Sequence, residues 1–176
     1  MLCSLTPHPD DSPDAISRID VEVVRRESLL ELRYLLTGRI GDICLPPFSE
    51  PRRGDDLWQH SCFEAFIREP GDGRYVELNF APSGEWAAYR FARYRSGRTD
   101  AEPAPLRLET FPAEESFELR ASYLLDLPAQ APWQLNLTTI IEEADGRKSY
   151  WALAHPPGKA DFHHDDGFAL SLPAVA

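Results

Sequence analysis

Alternating apolar and polar positions dominate the chain from about residue 16 onward. In residues 19–23, isoleucine and valine alternate with acidic side chains, and residues 30–36 repeat the pattern with leucine and tyrosine. A period of two places successive side chains on opposite faces of a β-strand. The two runs therefore predict a pair of half-buried strands, joined by a hairpin near residues 25–28.

Strand-like runs recur at short intervals through the rest of the chain. The turn signals between them include Asp145-Gly146, a dipeptide typical of a tight hairpin. The runs are 57–68, 74–81, 85–95, 106–111, 116–124, 133–143, 149–155 and 167–172. Only the start of 85–95 could instead begin a helix, and its aromatic residues favour a strand. We therefore predict an all-β fold of about ten strands, a two-sheet antiparallel β-sandwich of the immunoglobulin or jelly-roll kind.

The chain length fits one domain of ordinary size. Residues 1–15 are polar and rich in proline, so we expect a poorly ordered segment there. A single domain is predicted over residues 16–176. Two further stretches, 42–56 and 97–105, are rich in proline, glycine or charge and are predicted to be loops.

Charge and cysteine content exclude several classes of function. The formal net charge is −11, which argues against nucleic acid and anionic membrane surfaces as partners. Three cysteines without paired spacing do not form a disulfide framework. The N-terminus has no signal-peptide pattern, and no apolar run is long enough to span a membrane. We therefore expect a reduced, cytoplasmic protein, and the sequence leaves its oligomeric state open.

Three predicted strands pair an apolar face with a face of amides, carboxylates and aromatic rings. In 75–80, Val76, Leu78 and Phe80 share one face, whereas Tyr75, Glu77 and Asn79 share the other. An antiparallel sheet with one solvated face alternates in the same way. However, these polar faces hold no lysine, and planar polar groups with aromatic rings suit a sugar or a similar small molecule. The candidate ligand-binding residues on the strands are Trp58, His60, Glu64, Glu77, Asn79, Asn136 and Glu142.

The loop over residues 155–166 could contribute further ligand contacts. The candidates there are His155, Lys159, Asp161 and His163. A divalent metal bound by His155, His163 and His164 is an alternative, although the spacing matches no standard zinc pattern. The simplest interpretation is a surface loop stiffened by Pro156 and Pro157. We predict no metal and no cofactor.

Several motifs resemble those of bacterial DOMON-like domain proteins. They are Leu-Trp-Gln-His-Ser-Cys-Phe-Glu-Ala-Phe at 57–66, the run 75–89, Ile-Glu-Glu-Ala-Asp-Gly at 141–146, Ser-Tyr-Trp-Ala-Leu-Ala-His-Pro at 149–156 and Asp-Phe-His at 161–163. The resemblance covers roughly residues 16–172. The wider superfamily includes family 9 carbohydrate-binding modules and haem-binding cytochrome domains. Membership implies a β-sandwich with a ligand in a cleft on one sheet.

The resemblance also implies roles for particular residues. The sugar modules stack a sugar between paired tryptophans, which makes Trp58 and Trp151 candidates here. The cytochrome domains hold iron with a methionine and a histidine, and the only methionine in this chain is Met1. Haem bound in that way is therefore not expected, although a pair of histidines could still ligate it.

These observations favour a non-enzymatic domain that binds a sugar or a sugar-like metabolite. One alternative is an enzyme resembling glycoside hydrolases, with Glu64 and Glu77 as its carboxylate pair. Another is a protein-interaction domain without a small ligand. A nucleophilic Cys62 activated by His60 is weakly supported, because residues two apart on a strand lie about 7 Å from each other.

Overall fold

The computed structural model describes residues 1–102 and 104–175, and within them it confirms the all-β prediction. Thirteen strands and three short 3₁₀ turns are present there. The strands are β1 Leu2–Pro7, β2 Ile16–Arg26, β3 Leu29–Gly38, β4 Arg52–Arg53, β5 Cys62–Arg68, β6 Tyr75–Phe80, β7 Glu85–Phe91, β8 Thr99–Asp100, β9 Arg107–Pro112, β10 Ser116–Leu124, β11 Trp133–Glu142, β12 Lys148–Ala152 and β13 Leu170–Leu172. No helix in the described ranges has the length and apolar character needed to cross a membrane.

The strands form one curled sheet rather than two separate ones. Eleven of them follow the order β4-β7-β6-β5-β11-β12-β1-β2-β3-β10-β9, with β13 beside β11 and β8 beside β7. Strand β1 joins the two halves, because Leu2–Leu5 pair with β2 while Thr6 and Pro7 pair with β12. The β4–β7 pair is parallel, so the sheet is mixed. The structure thus replaces the expected pair of antiparallel sheets by a continuous mixed sheet whose halves face each other.

The main apolar core lies between the two halves. Val76, Leu78 and Phe80 point into it, as their alternation predicted. Rings from both halves meet at its centre, where the Tyr34 and Phe63 ring centroids are 5.3 Å apart. The buried Tyr34 hydroxyl also donates a hydrogen bond to the Glu64 carbonyl oxygen, over 2.6 Å. This bond ties the β3 half of the sheet to the backbone of β5.

The N-terminal segment was expected to be poorly ordered, and the structure corrects this expectation. Strand β1 is paired on both sides, and Leu5 is buried in the core. The following residues are tied down too, since the Asp11 carboxylate accepts a hydrogen bond from the Tyr150 backbone. The composition shows only that this segment is polar. The segment forms a strand because its backbone pairs with the neighbouring edges of β2 and β12.

The prediction of a strand over 57–68 is wrong for its first residues. Residues Leu57–Gln59 form a 3₁₀ turn, and Asp56 before them is left-handed, with φ 55°. The strand itself begins at Cys62. Trp58 and His60 consequently leave the sheet face on which the alternation had placed them.

We expect Tyr34→Phe to lower the free energy of unfolding by about 1–2 kcal/mol, because a buried carbonyl loses its donor. The control is Tyr123→Phe, since the buried Tyr123 hydroxyl has no hydrogen-bond partner in the described part of the chain. That variant should lie within about 0.5 kcal/mol of the wild type. Urea denaturation measures both. Equal losses in the two variants would contradict the role of the Tyr34 bond.

Candidate functional site

A second apolar cluster covers the outer face of the β7-β6-β5-β11-β12 half of the sheet. Its buried members are Leu57, Cys62, Phe66, Tyr75, Ala81, Ala87, Tyr89, Phe91, Ile140, Ala152, Phe162 and Phe168. All six residues of β6 and the first six of β5 are buried. The polar side chains on this face are therefore removed from solvent. The face of β5 and β6 is not an ordinary solvent-exposed sheet face.

The segment over residues 160–168 forms the outer cover, and contacts with Asn136 and Arg68 help to hold it. Asn136 donates a hydrogen bond from Nδ2 to the Phe162 carbonyl oxygen, over 2.8 Å. Arg68 forms an ion pair with Asp165 and stacks 4.0 Å above the ring of Phe168. Asn136 is thus a positioning residue for the cover, although the sequence had suggested that it contacts ligand.

Gly167 explains how closely the cover approaches the sheet. A Cβ atom at this position would lie 2.5 Å from Asn136 Nδ2, which is closer than such atoms can approach. Any side chain larger than glycine would push the 160–168 segment away from β11 or displace Asn136.

A cleft of about 510 Å³ opens between the cover, the 57–59 turn and the hairpin that follows β7. Glu64, Glu77 and Asn79 form its polar floor. Aromatic side chains form most of its walls, and they are Trp58, Phe66, Tyr89, Phe91, Tyr150 and Phe162. A volume of this size, with aromatic walls and polar groups that converge on one floor, is typical of a small-molecule site.

The floor groups are neighbours across the β5–β6 pair. Glu64 lies directly opposite Asn79, and Glu77 is diagonal to Glu64, which places their Cβ atoms within about 7–8 Å. Asn79 Nδ2 donates to Glu77 Oε1 over 2.7 Å, and the Thr138 hydroxyl donates to Glu64 Oε2 over 3.1 Å. The glutamates are only 3% and 7% exposed. The two carboxyl groups thus lie on one face, as a shared site requires.

Burial changes the protonation of this pair. Loss of solvent, reinforced by the charge of Glu77, raises the pKa of Glu64 to about 8. Burial also raises the pKa of Glu77, although the Asn79 hydrogen bond and the nearby arginines oppose it. At neutral pH the floor therefore presents Glu64 as a carboxylic acid, which can donate as well as accept hydrogen bonds.

His163 lies beside this pair as a neutral imidazole. Burial lowers the pKa of His163 to about 4. The Tyr75 hydroxyl forms a hydrogen bond of 2.7 Å with His163 Nδ1 and accepts another from the Arg95 backbone N–H. The other ring nitrogen, Nε2, faces Glu77 Oε2 at 3.8 Å.

Two arginines of the hairpin after β7 reach the rim of the cleft. Arg95, at φ 49°, forms an ion pair with Asp161 over 2.8 Å, and Tyr94 also donates to that carboxylate. Arg98 stacks 4.8 Å from the ring centroid of Tyr89. Asp161 was predicted to contact ligand, but here it fixes Arg95.

The structure brings together five of the residues proposed from the sequence, and they line the cleft. They are Trp58, Glu64, Glu77, Asn79 and His163. Trp58 stands at the mouth with 54% of its surface exposed. It is therefore free to close over a ligand or to stack against one.

Four other proposed residues lie away from the cleft. His60 and Glu142 bond to each other, with 2.7 Å between Nδ1 and Oε2. Trp151 points into the inner core and donates to the Ser149 hydroxyl, so it cannot pair with Trp58 around a sugar. Lys159 is exposed in the loop and does not line the cleft.

The three histidines of the alternative metal site do not converge. His155 Nε2 lies 2.9 Å from the Thr6 carbonyl oxygen, and His163 bonds to Tyr75. His164 accepts a hydrogen bond from the Asp166 backbone. In residues 1–102 and 104–175, no group of three or more histidine, cysteine, aspartate or glutamate side chains is placed to hold a metal ion.

Several lining residues were not among the candidates from the sequence. Arg95 and Arg98 reach the cleft from a hairpin whose direction the sequence does not reveal. Tyr89 and Phe91 share the outer face of β7. The alternation of side chains along residues 85–95 already predicts that these two residues lie on one face. Phe162 lies within the Asp-Phe-His motif at 161–163, in which only the polar residues Asp161 and His163 were candidates.

Comparison with known proteins shows the fold. No protein-family model matches the chain, and neither does any curated protein sequence. A candidate carbohydrate-binding protein from Bacteroides uniformis ATCC 8492 matches with a TM-score of 0.67 and 12% identity, covering 95% of this chain and 83% of that one. A family 9 carbohydrate-binding module from Caldicellulosiruptor kristjanssonii in complex with glucose matches with a TM-score of 0.51 and 11% identity, covering 85% and 72%.

A family 9 module from the same organism in complex with cellotriose gives a TM-score of 0.50 at 11% identity, covering 85% of this chain and 70% of that one. At such low identity these likenesses concern the fold alone. The chain therefore shares its fold with these three proteins.

We expect Glu64 to make the protein less stable as pH rises. Between pH 4.5 and about 8 the folded protein keeps a proton on Glu64 that the unfolded chain releases. The stabilisation is full below pH 4.5 and is lost as pH rises through 8, with a slope of at most about 1.4 kcal/mol per pH unit.

Glu64→Gln should flatten this slope, which urea denaturation from pH 5 to 9 would measure. Glu109→Gln is the control, because it removes one half-exposed carboxylate from the outer strand β9. An unchanged slope in Glu64→Gln would show that this carboxyl titrates normally.

Proposed function

We propose that this chain binds a sugar or a sugar-like metabolite in the cleft over β5 and β6. The observation that carries the proposal is the combination of a buried polar floor with aromatic walls. Glu77 and Asn79 can orient hydroxyl groups, and the acid form of Glu64 adds a donor. The wall rings offer apolar faces against which a sugar ring can stack.

The fold supports the same function. Two of the structural neighbours were solved in complex with glucose and cellotriose, and the third is named as a candidate carbohydrate-binding protein. Membership of the DOMON-like group, which the sequence motifs suggested, is part of this proposal. The ligand-binding role is proposed to be non-enzymatic, with Trp58 as the stacking residue and without a second tryptophan.

A glycoside hydrolase is the second candidate, and one observation favours it. Glu64 and Glu77 lie on one face of adjacent strands, and one of them is protonated at neutral pH, as a general acid must be. Incubation with cellotriose separates the two candidates. Binding without hydrolysis supports our proposal, whereas hydrolysis that is lost in Glu77→Gln would replace it.

Calorimetric titration with glucose and cellotriose tests the proposed function. We expect Trp58→Ala to weaken binding about 5- to 10-fold, because one stacked ring contributes about 1 kcal/mol. Trp58 is half-exposed, so the melting temperature should hardly change. Phe111→Ala is the control, since Phe111 is similarly exposed on β9.

Equal weakening in Trp58→Ala and Phe111→Ala would place the sugar elsewhere. If neither glucose nor cellotriose binds at millimolar concentration, and no monosaccharide in a thermal-shift panel raises the melting temperature, the carbohydrate proposal fails.

A further inference from the structure

The carboxyl pair on the cleft floor forms no ion pair with an arginine or lysine among the described residues. Most arginines there pair with a carboxylate, but none of these pairs includes Glu64 or Glu77. The basic group nearest to Glu77 is His163, at 3.8 Å, and this imidazole is neutral at pH 7. Two carboxyl groups are thus more than nine-tenths buried, with only the more distant charges of Arg95 and Arg98 acting on them.

The hydrogen bonds of the pair leave part of it free. Glu64 accepts hydrogen bonds from the Thr138 hydroxyl, at Oε2, and from the Cys62 thiol, which is a weak donor. Glu77 Oε1 accepts from Asn79, and Glu77 Oε2 has only the long contact to His163. Both side chains line the cleft. Glu77 Oε2 is therefore the oxygen of the pair that is most available to a ligand.

The walls above the pair suit a positive charge. Aromatic faces attract cations, and rings that surround a buried site strengthen this attraction because they exclude water. Tyr89, Phe91 and Tyr150 are among the rings that line the cleft. The formal net charge of −11 also favours the approach of a cation.

The arginines at the rim do not reverse this preference. Asp161 already neutralises Arg95, and Arg98 stacks on Tyr89 at the exposed edge of the cleft. Both arginines lower the pKa of Glu77, yet that pKa stays raised. Among the described residues the only ion-pair contact of the two glutamates is the long one to His163, so the floor can still take up a cation.

We propose that the ligand carries an ammonium group, which binds over Glu64 and Glu77. This inference rests on the proposed function for its ligand class, so the ligand we infer is an amino sugar. The ammonium group would donate hydrogen bonds to carboxyl oxygens of Glu64 and Glu77, and first of all to Glu77 Oε2. The hydroxyl groups of the sugar would face Asn79 and the aromatic walls.

Titration calorimetry at pH 6.5 with four sugars tests this inference. The probes are glucosamine, which carries an ammonium group, glucose and N-acetylglucosamine, which are neutral, and glucuronate, which carries a carboxylate. We expect glucosamine to bind about 10-fold or more tightly than each of the others, as charge-assisted hydrogen bonds to buried groups imply. Ethanolamine serves as a primary ammonium probe without a sugar ring.

Three variants locate the effect. Glu64→Gln and Glu77→Gln should each reduce the preference for glucosamine over glucose to about 3-fold or less, while melting temperatures verify that they fold. Glu109→Gln should keep the full preference, because it makes the same substitution on β9, far from the cleft. If Glu109→Gln loses as much preference, the effect is long-range attraction and the inference is wrong.

The outcomes separate this inference from the proposed function. Equal binding of glucosamine and glucose would overturn the ammonium group and leave the sugar proposal standing. Tighter binding of glucuronate would also overturn it, because the rim arginines would then select an anion. Binding of ethanolamine without any sugar would support the ammonium site and overturn the sugar proposal. No binding by any probe would overturn both.

Discussion

The burial of two carboxyl groups side by side is the constraint on which this structure depends. Glu64 and Glu77 lie in a half of the sheet that carries an apolar cluster on each of its two faces. Removing such groups from water is costly, and part of that cost appears as a raised pKa at each of them. A fold optimised for stability alone would place apolar side chains there. The presence of two carboxyl groups under an open cleft indicates a role in binding.

The rest of the architecture holds this pair in place. Strand β1 continues from one half of the sheet to the other, so the halves close around one core. The Tyr34 hydroxyl fixes the backbone of Glu64 from inside that core. On the outer face, Asn136 and Gly167 allow the 160–168 segment to lie close against β11. The floor is thus held from both sides. Trp58 and the hairpin that carries Arg95 and Arg98 form the more exposed edges of the cleft.

The alternation of side chains predicted the strands and the floor, but not the edges of the site. Parity alone placed Glu77 and Asn79 on one face, because a strand's period of two needs no tertiary information. Trp58 left its predicted strand because residues Leu57–Gln59 form a 3₁₀ turn, which follows the left-handed backbone at Asp56. Trp151 faces the core because it pairs with Thr139 on the inward side of β11. Such features depend on strand register and loop paths, which one sequence does not reveal.

A crystal of the protein soaked with glucosamine would show directly where the sugar binds. We expect a sugar in the cleft, with its nitrogen within about 3.2 Å of a Glu64 or Glu77 carboxyl oxygen and its ring against an aromatic wall. A sugar bound on any other surface, while the cleft holds only water, would contradict this expectation.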